Sequence, residues 1–565
     1  MISCLLIACI ATSPVTPLPG MSVSRSTTFT PGSYRIDRPI QVAGDHVILD
    51  FSGVELVGTD DPTRPDQFSG TAIEISAGSD ITIRNLRARG YKIAIHARGT
   101  KDLHISGCDF SFNYRQRLKS ILQKEDEADW LSYHHNESDE WLRYGAAMYL
   151  KNCSGARVDG CTVHNGQNGL MLVGCDNGQV WNNDFSFNSG VGIGLYRSSG
   201  NKVLHNRLDW CVRGYSHGVY ARGQDSAAIL VYEQSCRNEF AYNSATHSGD
   251  GFFLWAGQST MDSGQGGCND NVIALNDFSH SPCNGIEVTF SSNKIANNTI
   301  DDCEYGIWGG YSYKTQIIGN SFAGDGTGIA IEHGQDNVIS GNNFARCPTG
   351  IRLWMNAKQD PNWGYPKHRD TKSRNYSLRG NLFIEVGQPI TLRDTIDVGI
   401  DDNGFGPATQ PVKSSGDTNG IQVGENQRTE FRVDEFWAAW MHPAPIKGAG
   451  QVRLPADHPR GREYILVDEW GPYDFRSPKA LPRGRTAAGN LRFEILGPPG
   501  EWKLLNADGA VSVSPKAGFV PGELSVAPAP GNQPIQLRLE YSGGEVISQF
   551  GVRTPAGQPS EFHYP

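Results

Sequence analysis

Asparagine recurs in this chain at a fixed interval, and that interval narrows the possible folds more than any other feature. Asn276, Asn298, Asn320 and Asn342 follow one another at 22 residues each. Cys161 and Asn183 hold the same place upstream, again 22 apart, and so do Asn381 and Asn403 downstream. Two positions after each member of the central run stands an apolar side chain: Phe278, Ile300, Phe322 and Phe344. A unit this short cannot enclose an apolar face by itself, so successive units must stack into a solenoid.

Within a unit the pieces are strand-like, as in GIAIE (328–332) and NVISGN (337–342), and Gly, Asn, Asp and Ser separate them. Period, strands and Asn-rich turns together resemble the right-handed parallel β-helix of the pectate-lyase-like superfamily. PGSYRIDRPIQVAGDHVILDFSGVELVG (31–58) is similar to the usual opening of such helices. The expected fold is therefore all-β: a right-handed parallel β-helix of 22-residue coils over 30–425, followed at 430–565 by a β-rich, sandwich-like domain. That second segment has strand-like runs such as NLRFEILG and PIQLRLEY, set apart by Pro and Gly.

Four interruptions break the period, near 114–145, 212–227, 256–269 and 355–376. Insertions that leave the register intact are surface loops, and such loops commonly build a functional face. The first, RQRLKSILQKEDEADWLSYHHNESDEWLRYG, is charged, helix-prone and rich in His and Trp.

Composition limits the partners. The net charge of −10 argues against nucleic acid, and no apolar run reaches the ~20 residues that cross a bilayer. Residues 1–20, MISCLLIACIATSPVTPLPG, resemble a secretory signal, so export to the periplasm or medium is expected; LIAC at 6–9 loosely matches a lipoprotein box. Cys153 and Cys175, 22 apart, should share one place on adjacent coils. A ladder of small buried side chains is expected there, with a disulfide as the alternative. No cysteine or histidine spacing suggests zinc.

Side chains alternate faces along a strand, so alignment of the coils on Gly-apolar pairs defines two outward columns. One contains Phe253, Glu287, Trp308 and Arg352; the other contains Tyr196, Glu233, Trp255, Glu332 and Trp354. Glu233 enters by the ungapped match of YEQSCRN with IEHGQDN. Aromatic rings alternating with carboxylates suit a saccharide, whose ring faces are apolar and whose hydroxyls want acceptors. Seating the insertions is the competing use of such rings.

Glycoside hydrolysis uses two carboxyl groups, ~5–5.5 Å apart for retention or ~6.5–9.5 Å for inversion. Glu287 is the expected centre, with Glu332, Glu233 or the loop residue Asp225 as partner. Their Cα atoms should lie roughly 11–12 Å apart for either glutamate pair, which favours inversion. A polysaccharide lyase or epimerase acting on uronic acids is the rival. It would draw on Arg222, His217, His134 and His135, or on Ca²⁺, to neutralise the substrate carboxylate. A non-catalytic carbohydrate-binding solenoid is the third possibility. For the hydrolase no cofactor and no metal is expected; a polysaccharide or oligosaccharide is the expected partner.

Overall fold

The structure is a computed structural model that describes residues 13–120, 126–214, 225–360, 362–408, 410–430, 445–450, 458–531 and 534–564. It contains two compact units, Met1–Pro472 and Tyr473–Pro565. The sequence reading began the second domain at 430, whereas the described residues up to Pro472 pack with the first unit. Residues 1–12, within the stretch that resembles a secretory signal, lie outside the described residues; Val15 pairs in parallel with Phe29.

The first unit is a right-handed parallel β-helix. Each coil contributes one short strand to each of two 15-stranded sheets, running from Ser22–Val23 to Val412–Ser415 and from Thr27–Thr28 to Gln422–Val423. A third face carries a four-stranded sheet from Thr299–Asp301 to Leu382–Ile384, together with isolated bridges. Inward side chains stack like on like: Ile286, Ile307, Ile329 and Ile351 sit in one column, all fully buried. Phe322, Phe344 and Phe383 stack face to face at 4.8 Å.

The asparagine ruler has a direct physical cause. Each ladder asparagine is buried at a corner, and its Oδ1 accepts from the preceding coil's asparagine. Asn298 donates both its backbone N–H (3.0 Å) and its Nδ2 (2.9 Å) to Asn320 Oδ1, and Asn320 repeats this toward Asn342. The chain of bonds runs from Cys161 and Asn183 through Asn206, Asn243 and Asn276 to Asn403 and Asn426. Buried corner amides must be paired, and a stacked Asn side chain does this at every step. Cys153 and Cys175 are free thiols; Cys175 Sγ accepts from the Cys153 N–H at 3.3 Å inside the core, as the ladder expectation requires.

The second unit holds a six-stranded antiparallel sheet, from Lys479–Arg485 to Ser560–Tyr564, with its own core around Phe493, Trp502, Leu539 and Tyr541. Among the described residues no helix is long and apolar enough to cross a membrane.

Candidate active site

The first sheet carries the outward columns. Pairing gives one of them as Tyr149, Met171, Gly194, Leu230, Phe253, Glu287, Trp308, Ala330 and Arg352. The other contains Val173, Tyr196, Tyr232 and Trp255, and further along Glu332 beside Trp354. The ungapped match puts Glu233 in this column where Tyr232 stands. The slip has a local cause. Two consecutive residues, Glu233 (φ 52°) and Gln234 (φ 63°), adopt the left-handed conformation after the strand Ala227–Tyr232. That corner holds one residue more than the Glu332–Asn337 corner, so an ungapped match aligned the turns and misaligned the strands. Glu233 is instead 2% exposed beneath the third insertion, accepting from Ser259 Oγ at 2.6 Å and from Arg197 at 3.4 Å.

The insertions decide which column residues stay accessible. The first, read as helix-prone, forms two short 3-10 turns, Glu127–Asp129 and Glu140–Tyr144, and lies down on the sheet. Its Leu131, Tyr133, Trp141 and Tyr144 pack on Tyr149, Met171, Tyr196 and Tyr232. Tyr196 is thereby sealed, its hydroxyl donating to Glu137 Oε1 at 2.7 Å and its ring 5.3 Å from Trp141. Tyr196 therefore seats a loop and cannot be a groove platform. His135 is exposed on the same insertion, 3.9 Å from Glu137. On the far side two short helices, α1 (Gln258–Ser263) and α2 (Gly364–His368), lie in the third and fourth insertions. Met261 and Tyr365 from these helices pack with Phe290, Tyr311 and Trp363. His217 and Arg222 lie outside the described residues.

Between these covers the columns open into a cleft of about 290 Å³. His134, Tyr232, Phe253, Trp255, Trp308 and Tyr311 supply rings, Thr289, Phe290 and Gly310 complete the wall, and Glu287 and Glu332 face in. His134 meets Trp255 edge-on at 5.0 Å, and burial followed by the nearby His135 lowers its pKa, so the imidazole is neutral. Trp354 stands just beyond, 6% exposed, its Nε1 donating to Glu332 Oε1 at 3.2 Å while Arg352 covers its ring at 4.5 Å. Asn356 Nδ2 donates to the same carboxylate oxygen.

Glu287 stands apart electrostatically. It keeps part of its surface open to the cleft, yet protein surrounds its carboxyl. Burial raises its pKa well above the usual carboxylate range, and the Asp250 and then the Asp225 carboxyl push it the same way. Asp250 is itself raised to about 7, again by burial first and by Asp225 in addition, against the lowering effect of Asn284. Asn284 links the two: its backbone N–H donates to Asp250 Oδ1 at 2.8 Å and its Nδ2 to Glu287 Oε2 at 3.0 Å. Each ionised carboxyl here disfavours ionisation of the other, so both are shifted toward the protonated form.

Asp250 and Asn284 are not among the residues that the sequence pattern singles out. Strict alternation would put Asn284 and Glu287, three residues apart, on opposite faces; the strand register is unbroken here, and it is the Asn284 side-chain amide that reaches the Glu287 carboxyl.

Among the described residues no group of three or more His, Cys, Asp and Glu could hold a metal ion.

The family described as right handed beta helix region matches residues 133–265, and that described as periplasmic copper-binding protein NosD matches 231–362. The copper of the latter description finds no donor set among the described residues. No curated protein sequence matches the chain. Solved structures similar to it include the periplasmic alginate epimerase AlgG, at 11% identity over 70% of this chain and 79% of that one, TM-score 0.37. They also include the catalytic domain of a GH87 α-1,3-glucanase in complex with nigerose (12%, 73% and 71%, TM-score 0.39). A third is the surface adhesin PfbA of Streptococcus pneumoniae (12%, 61% and 88%, TM-score 0.36). Activities so different leave this chain's chemistry to be argued from its own site. With two 15-stranded parallel sheets wound around a single core, the first unit has the right-handed parallel β-helix fold that the matching family description names.

Proposed function

We propose that the cleft is the active site of an exported glycoside hydrolase that inverts the anomeric centre of a neutral glycan. The observation that carries this is Glu287: a carboxyl with a raised pKa, facing an aromatic-lined cleft that a second carboxylate, Glu332, also faces. Glu287 is the general acid. It gives its proton to the glycosidic oxygen as the bond from that oxygen to the anomeric carbon breaks. Glu332 takes a proton from a water whose oxygen bonds to the same carbon from the opposite side, which balances the reaction. Asp250 and Asp225 do not touch the substrate in this scheme; they keep Glu287 protonated. Trp255 and Trp308 offer faces to the sugar rings.

A uronate-directed lyase or epimerase needs a cation opposite the substrate carboxylate. Among the described residues lining the cleft, the carboxylates are Glu287 and Glu332, and His134 is neutral. That balance favours a neutral substrate over a polyanion. Export, to the periplasm or the medium, agrees with the apolar leader and with the periplasmic description of one matching family.

The test is incubation with a broad glycan panel, read for reducing ends and for absorbance of unsaturated uronate, with wild type and Glu287→Gln. Reducing ends lost in the variant, without the absorbance, support the hydrolase. Absorbance would replace it with the lyase.

A further inference from the structure

We infer that this site takes the end of a glycan chain and not its middle, so that the enzyme is exo-acting. The inference rests on the hydrolase reading and adds what the shape of the cleft demands of a substrate.

A polymer threaded through an active site needs two exits. Along the stacking direction the described residues close both. On one side the first insertion has buried the columns: Tyr149, Met171, Leu230 and Tyr232 are each at most 1% exposed, and His134 stands at the cleft edge over Trp255. On the other, Ala330 is fully buried and Trp354 is held down by its bond to Glu332 and by Arg352. Across the strands, Met261 and Tyr365 of the two short helices pack with Phe290 and Tyr311 into a third wall. The open part of the columns therefore spans only the coils of Phe253, Glu287, Trp308 and Glu332, three inter-strand steps or about 14 Å. The cleft, about 290 Å³, lies at the lower edge of the ~300–1,000 Å³ range of small-ligand sites, which is room for one or two sugar rings.

Depth and chemistry agree. The acid, Glu287, is on the second of these coils and the base, Glu332, on the last, so the scissile bond sits inside the pocket, within a ring or two of its floor. Only a chain terminus can reach it there.

The experiment uses the full-length protein on gluco-, manno-, galacto- and xylo-hexasaccharides of both anomeric linkages, labelled at the reducing end, with products sized at low conversion. Stepwise loss of one or two sugars from the hexasaccharide, and a slow fall in the viscosity of the parent polymer, is expected. Tri- and tetrasaccharides among the first products, with a rapid fall in viscosity, would overturn it. If no glycan is cleaved, the hydrolase reading fails, and binding to Glu287→Gln then judges the pocket separately. The hexasaccharides should bind, while the same compounds carrying a bulky substituent on the terminal sugar should lose at least tenfold in affinity. Equal binding of both, or binding of neither, would also overturn the proposal. His134→Ala, which lowers one wall, should raise the share of internal cleavage without a change in the anomeric outcome.

Discussion

The same two outward columns run past the coils at 146–232 and past those at 250–332, and they meet opposite fates. In the first region Tyr149 and Tyr196 are sealed by Tyr133, Trp141 and Tyr144 of the insertion. In the second, Phe253, Trp255 and Trp308 line open space between Glu287 and Glu332. The residue types are alike, so ring content alone does not separate a platform from a seat. What separates them is whether a loop supplies matching apolar surface. The first insertion does, burying Trp141 and Tyr133 completely, and it stops at His134, where the cleft begins.

The sharpest way to break this contrast is to act on one carboxyl in the open region. Glu287→Gln should lower turnover by roughly 10²–10⁴-fold with the fold intact, the usual contribution of a positioned acid. Tyr196→Phe, which removes a hydroxyl from the sealed region, should leave turnover unchanged. Comparable losses in both would mean that the cleft is not where chemistry happens.

Stability should show the reverse pattern. Trp141→Ala removes a 1% exposed ring from the insertion's core and should cost ~3–5 kcal/mol in urea unfolding. Trp308→Ala, at the open cleft, should cost far less in stability and instead weaken glycan binding by about tenfold, or ~1.4 kcal/mol. Should Trp308→Ala prove as destabilising as Trp141→Ala, the open ring is a packing element too.

The asparagine ladder runs beneath both regions and should not distinguish them. Asn206→Ala and Asn320→Ala each strand two buried donors of the preceding coil and should each cost ~1–3 kcal/mol. Unequal costs would show that the cover above a coil, and not the ladder, sets its stability.

How far the sequence carried this picture follows from the same physics. The ladder was legible because a buried corner amide demands one residue type at a fixed period, and Asn320 or Asn342 can be counted. Strand faces were legible wherever alternation held, which placed Glu287, Glu332 and Trp308 correctly in their columns. The extra left-handed residue after Tyr232 turned Glu233 away from the column. Asn284 and Asp250 join Glu287 through hydrogen bonds of Asn284 that strand alternation does not reveal. Coverage by the insertions was legible only as the competing use of the rings, since nothing in HHNESDEW tells which of them Trp141 seals.

The smallest expected effect tests whether the open region's electrostatics are built as inferred. Asp250 is an ordinary aspartate in the unfolded chain, near 3.8, but is raised to about 7 when folded. Between those values the folded protein holds a proton that the unfolded chain has released. The resulting stabilisation is fully present below the lower value and is lost as pH rises through the upper one. Asp250→Asn removes that dependence, so unfolding free energy measured in urea should decline less between pH 4 and 7 than in wild type. The same substitution takes away a negative charge that holds the Glu287 proton in place, so the alkaline limb of the activity profile should move to lower pH. A matching change at the sealed Glu233, Glu233→Gln, should move neither curve toward that pattern, because Glu233 is tied to Arg197 and Ser259 and is not among the groups that raise Glu287. If Asp250→Asn shifts the alkaline limb upward, or not at all, Glu287 is not the acid that its carboxyl neighbours keep protonated, and the pairing of the two must be assigned anew.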